Sequence, residues 1–182
     1  MQHYGIELNL NREFVIIQGQ YNNKSIDYPL EADWTAASYF YAFCVLTGKT
    51  LSFNQLNNKS FQGDRILVDV FKEFGVQSDL NESGLMKVHY NQSMYSPPKN
   101  IDLRNYPDLA PTFIVLVAIL KTETTFTGLE NLKIKESNRI IALQTELRKV
   151  GIQLIEKGKL WSLDSTNFTF DNFSSFDTHQ DH

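Results

Sequence analysis

One cysteine among 182 residues excludes an internal disulfide, so a reducing compartment, the cytoplasm, is the expected home. That residue, Cys44, stands in the apolar run Tyr39-Phe-Tyr-Ala-Phe-Cys-Val-Leu46, where a thiol is a small buried hydrophobe rather than a nucleophile. Positive charge is not in surplus. A formal net charge of -4 excludes a broadly basic surface, and with it general binding to nucleic acid or an anionic membrane. A pocket for a small phosphorylated ligand needs only a few local cations and stays open. Long apolar runs are missing as well: the longest, residues 113–120, falls far short of the about 20 residues a membrane helix takes. The first residues lack a basic stretch followed by an apolar one, so no secretory leader is expected. His3, His89 and His179 do not stand at metal-ligand spacing, and no Gly-rich phosphate loop, cysteine cluster or nucleophile elbow occurs. What remains, 42% hydrophobic and 21% charged, is the composition of a soluble globular chain, sized for one domain or one domain plus a piece of another.

A repeat organises the chain. Residues 28–32 read as a short strand, Asp33 precedes an apolar helix reaching Leu46, and 50–53 read as a second strand. Residues 65–74 carry Ile66, Val70 and Phe74 every four positions, widened by Leu67 and Phe71, which predicts an amphipathic helix closed by Gly75. Strands at 76–80 and 85–90 follow, joined through Asn81-Glu-Ser-Gly84. The second pass has a strand at 100–103, Asp108 before an apolar segment, and a strand at 124–127. A helix opening at Lys135-Glu-Ser-Asn-Arg139 comes next, with Ile140, Leu143, Leu147 and Val150 on one face and Gly151 at its end. Residues 152–155 and 160–163 then pair across Gly158. Asp33 and Asp108 are 75 positions apart, Arg65 and Arg139 74, and Gly75 and Gly151 76, so the register holds over a whole strand-helix-strand-helix-strand-strand unit. Gly5-Ile6 and the strand at 13–18 match a unit's closing hairpin, and Asp181 falls 73 positions after Asp108, where a further helix is due. The β-branched segment 113–120 could be a strand by propensity. Pro107 and Pro111, and the Ala- and aromatic-rich counterpart in the first copy, make it a buried helix. Trp34 and Trp161 are expected in the core.

Polar residues gather at helix starts. Asp108, in Tyr106-Pro-Asp-Leu-Ala-Pro-Thr112, suits either a helix-start carboxylate, as Asp33 and Asp181 do, or a general base within reach of a substrate hydroxyl; position alone leaves both open. Lys135 and Arg139 are four apart, on one face of the predicted helix, with Glu136 beside them. Two cations in the first turn oppose the helix dipole, and a bound phosphate would resolve the conflict. The alternative is a solvated face with a Glu136–Arg139 pair. The first copy has Gln62, Gly63 and Asp64 there, with Arg65 its one cation.

The ordered motifs Glu31-Ala-Asp-Trp-Thr-Ala-Ala-Ser-Tyr39, Gln62-Gly-Asp64, Tyr106-Pro-Asp-Leu-Ala-Pro-Thr112, Lys135-Glu-Ser-Asn-Arg139, Thr145-Glu-Leu-Arg-Lys-Val-Gly151 and Asp181-His182 resemble the 5-enolpyruvylshikimate-3-phosphate synthase family over nearly the whole chain. The resemblance implies an α/β fold of repeated βαβαββ modules, the inside-out α/β barrel of the enolpyruvyl transferases. It implies that residues 1–28 close the last module of one domain, and that 29–182 supply two modules of the other plus the start of a third. The activity implied is transfer of the carboxyvinyl group of phosphoenolpyruvate to the 5-hydroxyl of shikimate 3-phosphate, with release of phosphate and no metal or other cofactor. Asp108 would take the hydroxyl proton, Asn131 and Lys135 would hold shikimate 3-phosphate, and Glu136 would move protons at the methylene carbon. Arg139 would bind the phosphoenolpyruvate phosphate, and His182 matches the family's histidine beside that ligand.

The match has departures. The arginine that usually follows Asp-His, a later lysine, and the basic loop and Ser-rich segment of the other domain are not in this sequence. Asn138 stands where Asp is common and Ala32 where Gly is. An internal piece of a longer enzyme, with negligible turnover and weak binding alone, is therefore expected. The rivals are the related transferase acting on UDP-N-acetylglucosamine, which the Pro-Asp-x-Ala-Pro-Thr and Lys-Glu-Ser-x-Arg signatures fit less well, and a non-catalytic module that keeps the repeat, against which the charged second copy speaks.

Overall fold

The computed structural model describes residues 7–11, 13–18, 27, 30–82, 84–134, 137–170 and 175–180. Asp33 starts the first long helix, α1 (Trp34–Thr47): its backbone is extended and its carboxylate accepts the Thr35 N–H at 2.8 Å, satisfying a donor that no helical carbonyl reaches. The chain continues through β3 (Leu51–Asn54), a 3-10 turn (Gly63–Ile66), α2 (Leu67–Glu73), β4 (Phe74–Leu80) and β5 (Leu85–Tyr95). These elements are numbered after an N-terminal hairpin of β1 (Glu7–Leu10) and β2 (Val15–Gln18), antiparallel with Leu10 opposite Val15. Contacts divide the chain into two units, Met1–Leu30 holding that hairpin and Glu31–His182 holding the rest.

The second pass is β6 (Asn100–Asp102), α3 (Ala110–Leu120), β7 (Thr125–Thr127), α4 (Arg139–Lys149), β8 (Gln153–Lys157) and β9 (Leu160–Asp164). Its sheet has the order β6-β7-β9-β8, with β6 and β7 parallel across α3 and the other pairs antiparallel. The first sheet, β3-β5-β4, repeats the order of β7-β9-β8 with the same antiparallel pairings. The repeat read in the sequence is thus a repeat in space. Its first strand in the first copy is not formed at 30–32; Ala32 donates one backbone bond to the Gln55 carbonyl at 2.9 Å, and Tyr28 and Pro29 lie outside the described residues. The segment 113–120 is helical, within α3, as expected from its prolines.

The two copies share one core. Phe71 of α2 and Phe113 of α3 pack at 4.9 Å between centroids with their rings tilted 35°, extended by Tyr41, Phe53 and Phe74. Each such side chain buried stabilises by about 1.5–3 kcal/mol. Trp34, Trp161 and Cys44 are buried, as expected. At the α1–α3 contact, Ser38 and Thr112 meet at 2.8 Å between hydroxyl oxygens, both buried. Ser38 gives its one hydrogen to the Thr35 carbonyl at 2.6 Å, so Thr112 is the donor to Ser38. Gly151 ends α4 with φ +77; its N–H bonds Arg148 and the next, of Ile152, bonds Leu147, which closes the last turn.

Two expected helix boundaries are wrong: α2, read at 65–74 and closed by Gly75, runs Leu67–Glu73 after a 3-10 turn, with Gly75 inside β4. The helix predicted to open at 135 begins at Arg139, with Asn138 as its cap accepting the Ile141 N–H at 3.2 Å. A 3-10 turn, Glu130–Ile134, occupies part of the preceding loop. The Asn side chain competes for a free helical N–H and ends the helix where the periodicity of Ile140, Leu143 and Leu147 begins. Lys135, on which the expected shared face with Arg139 depends, lies outside the described residues. No helix among the described residues is long and apolar enough to cross a membrane.

Candidate functional site

Parallel strands β6 and β7 end side by side, with Asp102 opposite Thr127, and the loops leaving their carboxyl ends build the site. Open parallel sheets bind ligands at that edge because the following loops and helix starts converge there. The first loop is held by backbone bonds: Leu103 N–H to the Thr127 carbonyl at 2.9 Å, Tyr106 N–H to Leu103 at 3.0 Å, and Leu109 N–H to Tyr106 at 3.1 Å. Asp102 accepts the Arg104 N–H at 3.0 Å. Pro107 then sets the first turn of a short 3-10 helix, Pro107–Leu109, which presents Asp108 half-buried beside the fully buried Leu109.

The second loop presses on the first at Gly128. A Cβ there would lie 2.3 Å from the Arg104 backbone nitrogen, and φ is +77, so only glycine fits. Leu129 and Leu132 are buried, and the Leu132 N–H bonds Leu129 at 3.0 Å. Lys133 pins the turn from outside: its ammonium sits 2.9 Å from Glu156 on β8 and 5.4 Å over the Trp161 ring on β9. The loop ends at the Asn138 cap, and Arg139 opens α4.

Asp108 and Arg139 meet where the loops converge. The guanidinium Nη1 donates to Asp108 Oδ1 at 2.6 Å, with the arginine side chain 15% exposed and the aspartate 42%. A cation in the first turn of a helix is disfavoured by the dipole, and the Asp108 carboxylate places the compensating negative charge there. Glu136, which the alternative reading pairs with Arg139, lies outside the described residues; Asp108 is one partner of Arg139. Asp33, at the matching place in the first copy, caps α1, whereas Asp108 sits inside the 3-10 turn. The first copy links the same two helix starts with Gln62, which accepts the Trp34 N–H and donates to the Ala32 carbonyl, both at 3.0 Å, and with a Thr35–Asp64 hydrogen bond. The second junction is joined by an ion pair.

Asn131 stands exposed on the 3-10 turn of the second loop. Lys135, Glu136 and His182 lie outside the described residues. Among the described residues, no three histidine, cysteine, aspartate or glutamate side chains gather to hold a metal ion. Two polar residues escaped the sequence reading: Lys133, which anchors the Asn131 turn, and Glu146 on α4. The Glu146–Lys149 spacing signals a helical pair, but not that the chain after residue 174 returns to it.

The whole chain, residues 1–182, matches the family model of EPSP synthase (3-phosphoshikimate 1-carboxyvinyltransferase). The 3-phosphoshikimate 1-carboxyvinyltransferase of Bacteroides fragilis is 35% identical over 159 residues, covering 86% of this chain and 38% of that protein. The protein of the same name from Clostridium beijerinckii is 31% identical over 158 residues, covering 86% of this chain and 35% of its own length. A solved EPSP synthase from Acinetobacter baumannii superposes with a TM-score of 0.58 at 16% identity, covering 88% of this chain and 38% of that one, and shares the fold. The chain thus spans under two-fifths of the length of the relatives it matches, yet all of it aligns to one description. It belongs to the EPSP synthase family.

Proposed function

We propose that this chain forms part of the site of a carboxyvinyl transferase that joins phosphoenolpyruvate to the 5-hydroxyl of shikimate 3-phosphate. The observation that carries the reading is the Asp108–Arg139 pair at the carboxyl ends of β6 and β7. A phosphorylated ligand competes with the carboxylate for the guanidinium, because a forked cation at a helix start suits phosphate. Asp108, released, takes the hydroxyl proton as the oxygen attacks the central carbon of phosphoenolpyruvate. Glu136, with Lys135, delivers a proton to the methylene carbon and takes one back as phosphate leaves and the double bond re-forms. Asn131 and Lys135 hold shikimate 3-phosphate, Arg139 the phosphate of phosphoenolpyruvate, and His182 lies beside it. Fixed charges around the developing anion lower the barrier without reorganisation.

The same reading assigns residues 1–28 to the close of one domain, and 29–182 to two modules of a second plus the opening of a third. It places the protein in the cytoplasm, and it expects negligible turnover from these 182 residues alone. The test is phosphate release by the full gene product carrying this chain, given phosphoenolpyruvate and shikimate 3-phosphate. Asp108→Ala and Arg139→Ala should each lower kcat/KM by about a hundredfold or more. Full activity in Asp108→Ala, or a preference for UDP-N-acetylglucosamine as acceptor, sinks the assignment.

A further inference from the structure

We infer that Glu146 is a positioning residue that clasps onto α4 the segment 175–180, which immediately precedes Asp181 and His182 in the sequence. Glu146 is a helical glutamate with a side chain only 15% exposed, and both its oxygens are used. Oε2 accepts the Lys149 ammonium at 2.7 Å and the Asp177 backbone N–H at 3.0 Å, while Oε1 faces His179 Nε2 at 2.8 Å. A carboxylate offers only acceptors, so Nε2 carries the hydrogen of that bond. Lys149 spans the same gap, reaching the Ser175 carbonyl at 3.1 Å, and the His179 N–H closes onto Asp177 Oδ1 at 2.8 Å.

The segment has no helix or strand of its own, so these bonds are its visible anchorage. They also explain its backbone. His179 and Gln180 both have φ +55, a left-handed conformation in which L side chains crowd the carbonyl, and two such residues in succession persist only where contacts impose them. A surface glutamate would need none of this. Three separate points of a returning chain, bonded across 26 to 33 positions, converge on one side chain and its Lys149 partner. The catalytic consequence, through His182, rests on the function proposed above; the clasp itself does not.

Amide hydrogen exchange on this chain tests the clasp. Glu146→Ala should speed exchange of the Asp177 amide about tenfold while the β8 and β9 amides keep their rates. Lys149→Met, which leaves the glutamate in place, should give a smaller change of about threefold. If Glu146→Ala loosens β8 and β9 as well, the lysine variant decides. An Asp177 amide that exchanges equally fast in wild type and variants overturns the proposal. In the active full gene product, Glu146→Ala should raise KM for phosphoenolpyruvate about tenfold with KM for shikimate 3-phosphate nearly unchanged, and Glu146→Gln should recover part of the loss. An unchanged KM refutes the positioning role. An inactive wild type instead counts against the enzymatic reading and leaves the exchange result to decide the clasp.

Discussion

Asp33 and Asp108 occupy matching positions in the two copies and do different work, which shows how little residue type alone determines. Asp33 has a free helix N–H in reach and caps α1. Asp108, displaced into a 3-10 turn by Pro107, meets Arg139 instead. Glu146 makes the same point with an electrostatic signature. The Lys149 ammonium hydrogen-bonded to it, aided by the Asp177 N–H and His179, holds its carboxyl down from the ordinary 4.5 to about 2. A carboxyl depressed in the folded state binds protons more weakly there than in the unfolded chain. Its contribution is therefore complete above about pH 4.5 and is lost as the pH falls toward 2. The gap in melting temperature between wild type and Glu146→Gln should accordingly narrow between pH 5 and pH 2. A gap that stays constant across that window means that the carboxylate is not held by these donors.

At the scale of elements, the contact of α1 with α3 turns on two hydroxyls that the repeat places 74 positions apart. Ser38→Ala leaves the buried Thr112 hydroxyl without its acceptor and should cost about 1–3 kcal/mol. Thr112→Val removes a donor but leaves Ser38 bonded to the Thr35 carbonyl, and should cost less, about 0.5–1.5 kcal/mol. The double variant should cost less than the two singles together, because it leaves neither hydroxyl stranded. Urea unfolding of the three variants measures this, and strict additivity would mean the pair contributes nothing as a pair. The elements themselves were largely legible. Periodic apolar residues marked α2 and α4, the apolar run after Asp33 marked α1, and β-branched α3 was recovered from its prolines and its counterpart. The start of α4 was misplaced because Lys135, Glu136 and Arg139 suit a helix by spacing, while the Asn138 cap that ends it is a single side-chain choice.

Across the whole of the second unit, α1 and α3 carry apolar residues on every side. Tyr39, Phe43 and Leu46 on α1, and Val115 and Ile119 on α3, are exposed large hydrophobics beside otherwise buried faces. A helix apolar all round is built to be covered on all sides. An exposed stripe of this kind associates readily in water. The chain should therefore bind an apolar dye such as ANS and elute larger with rising concentration. Replacing Tyr39 and Phe43 together by lysine should reduce the dye signal by about half or more. Dye binding that is absent in wild type, or untouched by the substitution, removes that expectation.

The amino-acid order by itself determined the repeat, the helical and strand segments, the buried tryptophans and the junction where the second copy carries charge. Those signals are local or periodic: a 3.6-residue stripe, a β-alternation, an aspartate before a helix, a glycine after one. What only the tertiary structure decided is which charged groups touch. Arg139 finds Asp108 from 31 positions away, and Glu146 gathers a chain that returns from 33 positions beyond. Such pairings follow from how two loops and a returning segment close over a shared sheet edge and helix, and no spacing rule along the chain encodes that closure.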